Sequence, residues 1–217
     1  MGVGQHNFVD LRKAMVASQL RTTAVNDPRV VDAMGKVARE RFVPADRASL
    51  AYLDIAQPLA GDRAMPAPMV LGRLLTESRP RATDRALVVG AGSGYAAAVL
   101  ALLVKDVVAL EEDTALAAIG AAALPTNVTG VSGPLNAGWS AAAPYDLIVF
   151  DGAVEEVPAA ILAQLADGGR VATAIVDQGV TRLAIGRGAG GTFGLVPFAD
   201  AAAPVLPGFT KPAAFHF

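Results

Sequence analysis

The chain has 217 residues, 53% of them apolar, with 18 basic against 20 acidic side chains for a formal net charge of −2. That length fits one large domain with a sizeable core, and a near-neutral balance without a run of Lys or Arg argues against nucleic acid or an acidic membrane as partner. The absence of cysteine excludes disulfides, thiolate metal sites and a cysteine nucleophile, and no metal site is expected. The opening MGVGQHNFVDLRKAM lacks the basic-then-apolar pattern of a signal peptide, and His6 stands where a myristoylation signal wants Ser or Thr. The strongly apolar stretch AAAVLALLV (96–104) is far shorter than the roughly 20 residues needed to span a bilayer. A soluble cytoplasmic protein without a membrane partner is expected, its oligomeric state left open.

In chain order, FVDLRKAMVASQL (8–20) places Leu11, Met15, Ala17 and Leu20 near one helical face. Asp27-Pro28 then offers an N-cap acceptor and a first-turn proline, so 27–37 reads as a second short helix. Proline and glycine break regularity around FVPADR (42–47) and QPLAGDRAMPAP (57–68), which read as ordered loops, the second long enough to suggest a function. From Asp84 the pattern changes. Short, mostly continuous apolar segments at 86–89, 107–111, 127–133, 146–152 and 169–176 fit strands buried on both faces. Between them AAAVLALLV, DTALAAIGAAAL and EEVPAAILAQLA serve as crossover helices. This alternation predicts an α/β fold with a mostly parallel, doubly wound, Rossmann-like sheet. TRLAIGRG followed by GTFGLVPFAD reads as an antiparallel C-terminal edge. The whole is expected to form a single domain over 1–217, with N-terminal helices and a substrate-facing loop over 1–78 and a cofactor-binding core over 79–217.

In such a sheet the turn after the first strand is the usual nucleotide contact. Here it is Gly90-Ala91-Gly92-Ser93-Gly94-Tyr95, whose alternating glycines let the backbone approach a ligand closely. The dinucleotide fingerprint would place glycine where Tyr95 stands, which argues against NAD. Glu111 closes the next strand, where a carboxylate can accept both hydroxyls of a ribose. Glu111, Glu112 and Asp113 would equally suit the N-terminus of the following helix. Asp151, ending the fourth strand, is either a polar group facing the cleft or a cap ahead of EEVPAAIL.

With these residues the chain resembles the protein-L-isoaspartate O-methyltransferase family. The similarity runs from about Met15 to about Arg170 through MVASQLR, DPRVVDAM, RERFVP, AYLD, LVVGAGSGYAAAVLA, VVALE, Gly138-Trp139 and YDLIVFDGAVEEVP. The resemblance implies a class I fold, S-adenosyl-L-methionine as cofactor and a protein or peptide carboxylate as methyl acceptor. It implies that Gly90 to Tyr95 wrap the methionine part of the cofactor and that Glu111 holds its ribose. Glu112, Pro134, Leu135 and Asp151 complete the expected cofactor set.

Several positions depart from the family pattern. The strand residue usually acidic before the glycine turn is Val88, and the element near the adenine reads Gly133-Pro134-Leu135 without its acid. The substrate loop supplies Ala64 and Pro66-Ala67-Pro68 in place of a Thr and Ser-Gln-Pro. A carboxylate acceptor needs positioning rather than a general base, so His6 and His216 are expected to serve packing or surface roles. Lost hydrogen-bond donors matter more, each worth about 1–3 kcal/mol. Altered or weakened activity is therefore expected, with Arg63, Ala64 and Pro66 as the substrate-loop candidates. Arg63 reads first as a solvent-exposed side chain and second as a fork for a carboxylate. A non-catalytic binding protein on the same fold is the alternative; a nucleotide-dependent oxidoreductase is disfavoured by Tyr95 and by the lack of a hydride-transfer acid at the strand ends.

Overall fold

The computed structural model describes residues 7–189 and 192–211; His6, His216 and the end of the PGFTKPAAFHF tail lie outside them. Helix α1 spans Phe8–Met15, and the Asn7 side chain accepts from the amide of Asp10. The chain then widens into a π-helical turn over Val16–Leu20. Met15 and Leu20 are buried as their spacing predicts, but Ala17 is exposed and Val16 packs on the core instead. The wider turn shifts the helical phase, which a constant 3.6-residue period does not anticipate. Helix α2, Pro28–Lys36, follows its expected cap, with Asp27 accepting from the Arg29 amide at 2.9 Å.

The two loop regions are ordered as expected, and they carry short regular elements that proline and glycine hide. Short 3-10 turns cover Arg39–Phe42 and Ala45–Leu50, and the long loop folds back as a hairpin of β1 (Gln57–Pro58) and β2 (Ala64–Met65). Helix α3, Pro68–Ser78, is an element that the proline-rich flank hid. Pro68 occupies its first turn, where the missing N–H costs nothing, and Val70, Leu71, Leu74 and Leu75 are buried at helical spacing.

The remaining elements are β3 (Arg85–Val89), α4 (Tyr95–Leu100), β4 (Asp106–Glu111), α5 (Thr114–Gly120), β5 (Val128–Ser132), β6 (Tyr145–Val154), α6 (Ala159–Leu162), β7 (Leu165–Asp177), β8 (Val180–Ala189) and β9 (Thr192–Asp200). They form a seven-stranded sheet in the order β5-β4-β3-β6-β7-β8-β9, parallel through β7 and antiparallel at β8 and β9. Ala86 to Val89 are all buried because β3 lies centrally and is covered on both faces. The crossover helix expected over 155–166 is a single turn. Pro158 precedes it, and Gln164 ends it by donating to the carbonyls of Ala137 and Ala160 while accepting from Trp139 N.

The order reverses between β3 and β6, so the crevice outside their carboxyl ends is the place for a ligand. The amino ends are closed by a buried ion pair, Arg170 to Asp84, both 3% exposed. Every nitrogen of Arg170 is engaged: the other donors reach the carbonyls of Arg79 and Asp146. Asp84 also accepts from the Arg81 amide at 2.8 Å. Among the described residues no helix is long and apolar enough to cross a membrane, and no cluster of three or more His, Asp or Glu could hold a metal ion.

Candidate cofactor and acceptor site

The glycine turn leaves β3 at the reversal point. Gly90, Gly92 and Gly94 take φ of +71°, +55° and +95°, a region in which a side chain is strained. Neighbouring segments lie tightly on them. A Cβ added at Gly90 would come within 2.7 Å of Leu206, and one at Gly92 within 3.2 Å of Leu59 on the hairpin. Ala91 donates its amide to Leu110 at 2.9 Å, tying the turn to β4, and the Ser93 hydroxyl donates to the Phe42 carbonyl at 2.5 Å. The Ser93 side chain thus anchors the turn to the N-terminal segment.

Tyr95 points away from the turn's open side. It is 1% exposed, packs edge-on against Phe42, and lies under the Arg39 guanidinium, whose carbon is 4.6 Å from the ring centroid. Arg39 is fully buried and staples the 3-10 turn to the loop, donating to Ala51 O at 2.7 Å and Pro66 O at 2.6 Å. Burial pushes its pKa down against the pull of Tyr95 and Asp151. Among the described residues no hydrogen-bond partner meets its Nη1, the Tyr95 hydroxyl or either amide atom of the buried Gln57. Unpaired buried donors are costly and rare, and nothing in the composition of RERF or QPLAG singles these residues out.

Glu111 is 2% exposed at the carboxyl end of β4. One oxygen accepts from Gly92 N at 2.7 Å; the other accepts from Glu112 N at 3.0 Å and Asp113 N at 3.1 Å. Asp113, not Glu111, caps α5 through the amides of Ala115 and Leu116. Glu111 is therefore held in the cleft by the turn rather than spent on the helix. Glu112 is exposed, while Leu135, which follows Pro134, is buried in the same apolar cluster as Leu110. A cleft of about 320 Å³ adjoins Glu111, lined by Gly92, Gly94, Thr114, Leu124 and Ser132 among others. That size falls within the range of small-ligand sites.

Arg63 overturns the expectation of an exposed side chain. Its side chain is 13% exposed, and its two terminal nitrogens reach the two oxygens of Glu111 at 2.8 and 2.9 Å. Nη2 also donates to Gly90 O at 3.3 Å. The hairpin aims it: Leu59 N donates to Arg63 O, Arg63 N donates to Ala60 O, and Gly61 at φ +55° makes the turn. This pairing spans 48 positions of sequence, which local patterns do not carry.

Asp151 is not a helix cap, because β6 runs on through Val154 and α6 starts after Pro158 without a side-chain cap. It is 8% exposed and its pKa is pushed up to about 7, foremost by burial and also by the Glu111 charge, with Arg39 and Arg63 pulling down. Ala64 is half-buried on β2, and Pro66 is buried with its carbonyl held by Arg39. Val88 is fully buried in the larger apolar core.

The described surroundings suit a nucleoside with a positive centre: a bidentate carboxylate for a diol, a backbone-lined turn, and a second buried acid. Comparison with known proteins points the same way. The model of the Protein-L-isoaspartate(D-aspartate) O-methyltransferase family matches residues 11–188, reaching beyond the Arg170 limit expected from the motifs. The chain is 39% identical over 171 residues to a Protein-L-isoaspartate O-methyltransferase of Methylorubrum populi, covering 77% of this chain and 81% of that protein. It is 39% identical over 178 residues to a second such protein, of Anaeromyxobacter sp., covering 80% and 73%. A solved protein-L-isoaspartate O-methyltransferase superposes with a TM-score of 0.79 at 23% identity, covering 91% of this chain and 66% of the other. Another, from Plasmodium falciparum in complex with S-adenosyl-L-homocysteine, gives 0.75 at 18% identity, covering 90% and 97%.

Proposed function

The chain belongs to the protein-L-isoaspartate(D-aspartate) O-methyltransferase family, and on that footing we propose how its own residues serve S-adenosylmethionine-dependent methylation of an isoaspartyl carboxylate. The observation that supports the assignment most directly is the hydrogen bond from Gly92 N to Glu111, which brings the glycine turn and the strand-end acid into one site. When bound, S-adenosylmethionine supplies an electrophilic methyl group on a sulfonium; a carboxylate oxygen bonds to that carbon as the carbon–sulfur bond breaks.

No proton moves in that exchange, so the site needs no general base, only placement and exclusion of water. In our reading Glu111 accepts the two ribose hydroxyls, Gly90 to Gly94 let the backbone come close to the methionine moiety, and Asp151 favours the positive centre electrostatically. Leu59 and Leu206 wall the turn with apolar surface. Glu112 and Pro134, both exposed, are assigned to the adenine side; Leu135, buried in the core, is not. We treat residues 1–217 as one unit, because the N-terminal half contributes Arg39 and Arg63 to the neighbourhood of a site built on the sheet.

The acceptor side is depleted. Ala64 and Pro66 offer no side-chain donor, and Pro66 has no N–H. We therefore propose slow turnover. The test is transfer of labelled methyl from S-adenosylmethionine to a peptide with one isoaspartyl residue. The expected result is weak transfer by the natural chain, raised roughly tenfold or more by Ala64→Thr with Pro66→Ser, at about 1–3 kcal/mol per restored contact. Fast transfer by the natural chain would refute the depletion argument. Absence of transfer by either protein, with S-adenosylhomocysteine still bound, would favour a non-catalytic binding role.

A further inference from the structure

The Glu111 carboxylate is saturated. A carboxylate offers about four acceptor sites, and this one takes three backbone amides and both arms of Arg63. The amides are fixed parts of the turn and of the β4 end. Arg63 is the one partner carried by a long side chain on a hairpin tip. A vicinal diol presents two donors to one carboxylate, as the guanidinium fork does, so diol and fork compete for the same pair of oxygens.

Displacement leaves a mostly buried guanidinium that needs a new anion, since breaking a buried pair by removing one partner is costly. The other carboxylate whose charge senses Arg63 is Asp151, also under the pull of Arg39. Asp151 is thus already shared with Arg39, and burial disfavours its charge. The methyl acceptor brings a carboxylate to this end of the sheet, where Ala64 and Pro66 supply no side-chain donor for it.

We propose that Arg63 changes partners during the cycle: it closes on Glu111 in the cofactor-free protein, is released when the ribose diol takes that carboxylate, and then holds the carboxylate of the isoaspartyl acceptor. The fork takes two of the acceptor's four lone-pair positions and leaves the others free to attack the methyl group. Arg63 is in this sense a positioning residue that makes cofactor and acceptor bind cooperatively. The inference rests on the assignment of Glu111 to the ribose made above.

Calorimetry with S-adenosylhomocysteine, which cannot donate a methyl group, tests it without turnover. The wild type is titrated with and without a saturating isoaspartyl peptide, and with a control peptide whose isoaspartyl carboxylate is replaced by an amide. Expected is five- to fiftyfold tighter S-adenosylhomocysteine binding in the presence of the isoaspartyl peptide and none with the amide control. Arg63→Ala should bind S-adenosylhomocysteine at least several-fold tighter than wild type, lose the peptide effect and bind the peptide more weakly. Arg63→Lys, which keeps the charge without the fork, should also bind S-adenosylhomocysteine tighter while retaining part of the peptide effect. Equal or weaker S-adenosylhomocysteine binding by Arg63→Ala, or an undiminished peptide effect, overturns the exchange while leaving the cofactor assignment standing. If neither protein binds S-adenosylhomocysteine, both fall; binding by Arg63→Ala alone would support competition in its strongest form.

Discussion

Two buried arginine–carboxylate pairs sit at opposite ends of the same sheet, and their surroundings differ. At the amino ends, Arg170 projects from β7 and engages all three nitrogens with Asp84 and two carbonyls. At the carboxyl ends, Arg63 projects from the hairpin turn, between the exposed Gly61-Asp62 tip and the two-residue strand β2. The first arginine has nowhere else to go without breaking the central sheet. The second can leave by bending a hairpin. A buried pair by itself is weak support for stability; what distinguishes these two is whether the element that carries the cation is free to move.

The largest expected effect breaks the structural pair. Arg170→Ala strands the Asp84 carboxylate and the Arg79 and Asp146 carbonyls, and should cost about 3–5 kcal/mol in urea denaturation. Affinity of the remaining folded protein for S-adenosylhomocysteine should be unchanged. A drop in affinity without a drop in stability would show that the two ends are not separate in function.

The converse substitution at the other end is expected to do the opposite. Glu111→Ala takes the acceptor from the Arg63 fork and from three backbone amides, and folding should lose about 1.5–3 kcal/mol, the range for hydrogen bonds to a charged group. S-adenosylhomocysteine affinity should fall roughly ten- to a hundredfold, since two hydroxyl donors lose their acceptor. Calorimetry on both proteins decides it, and equal affinity would remove Glu111 from the site.

The contrast also marks what the sequence made readable. The strands at 86–89, 107–111 and 146–152 are legible because burial on both faces leaves continuous apolar runs, and the glycine turn and Glu111 are legible because their roles depend on adjacent backbone. Helix α3 was hidden by Pro66 and Pro68, which read as loop although Pro68 is well placed in a first turn. The short α6 was hidden because EEVPAAILAQLA carries helical spacing, and only the contact of Gln164 with Ala137 and Trp139 ends it. Arg39 and Arg63 share a different difficulty. A charged residue looks like surface in any local window, and each is buried by contacts with segments far away in sequence. The one signal for Arg63 was the length of its loop.

The smallest expected effect sharpens the comparison through pH. Asp151 faces Arg39 from the 3-10 turn, Arg63 from the hairpin and Glu111 from β4, and burial outweighs the two cations, so its pKa in the folded protein is raised to about 7. The unfolded chain ionises this group near pH 4. Between those values the folded state binds the proton that the unfolded state has released, so stability falls as pH rises through that window and the loss is complete above about pH 7. Asp151→Asn removes the charge while keeping the shape. The variant should match wild type near pH 4 and exceed it by an amount on the order of 2–4 kcal/mol at pH 8, measured by urea denaturation across the range. Double variants locate the cause: with Arg63→Ala, which takes away one of the two cations, the wild-type Asp151 should lose still more stability at pH 8. With Arg170→Ala the pH dependence of Asp151 should be unaltered, because that guanidinium closes the far end of the sheet. A pH profile that moves with Arg170 and not with Arg63 would mean that the buried acid senses the structural end of the molecule, contrary to the division drawn between the two pairs.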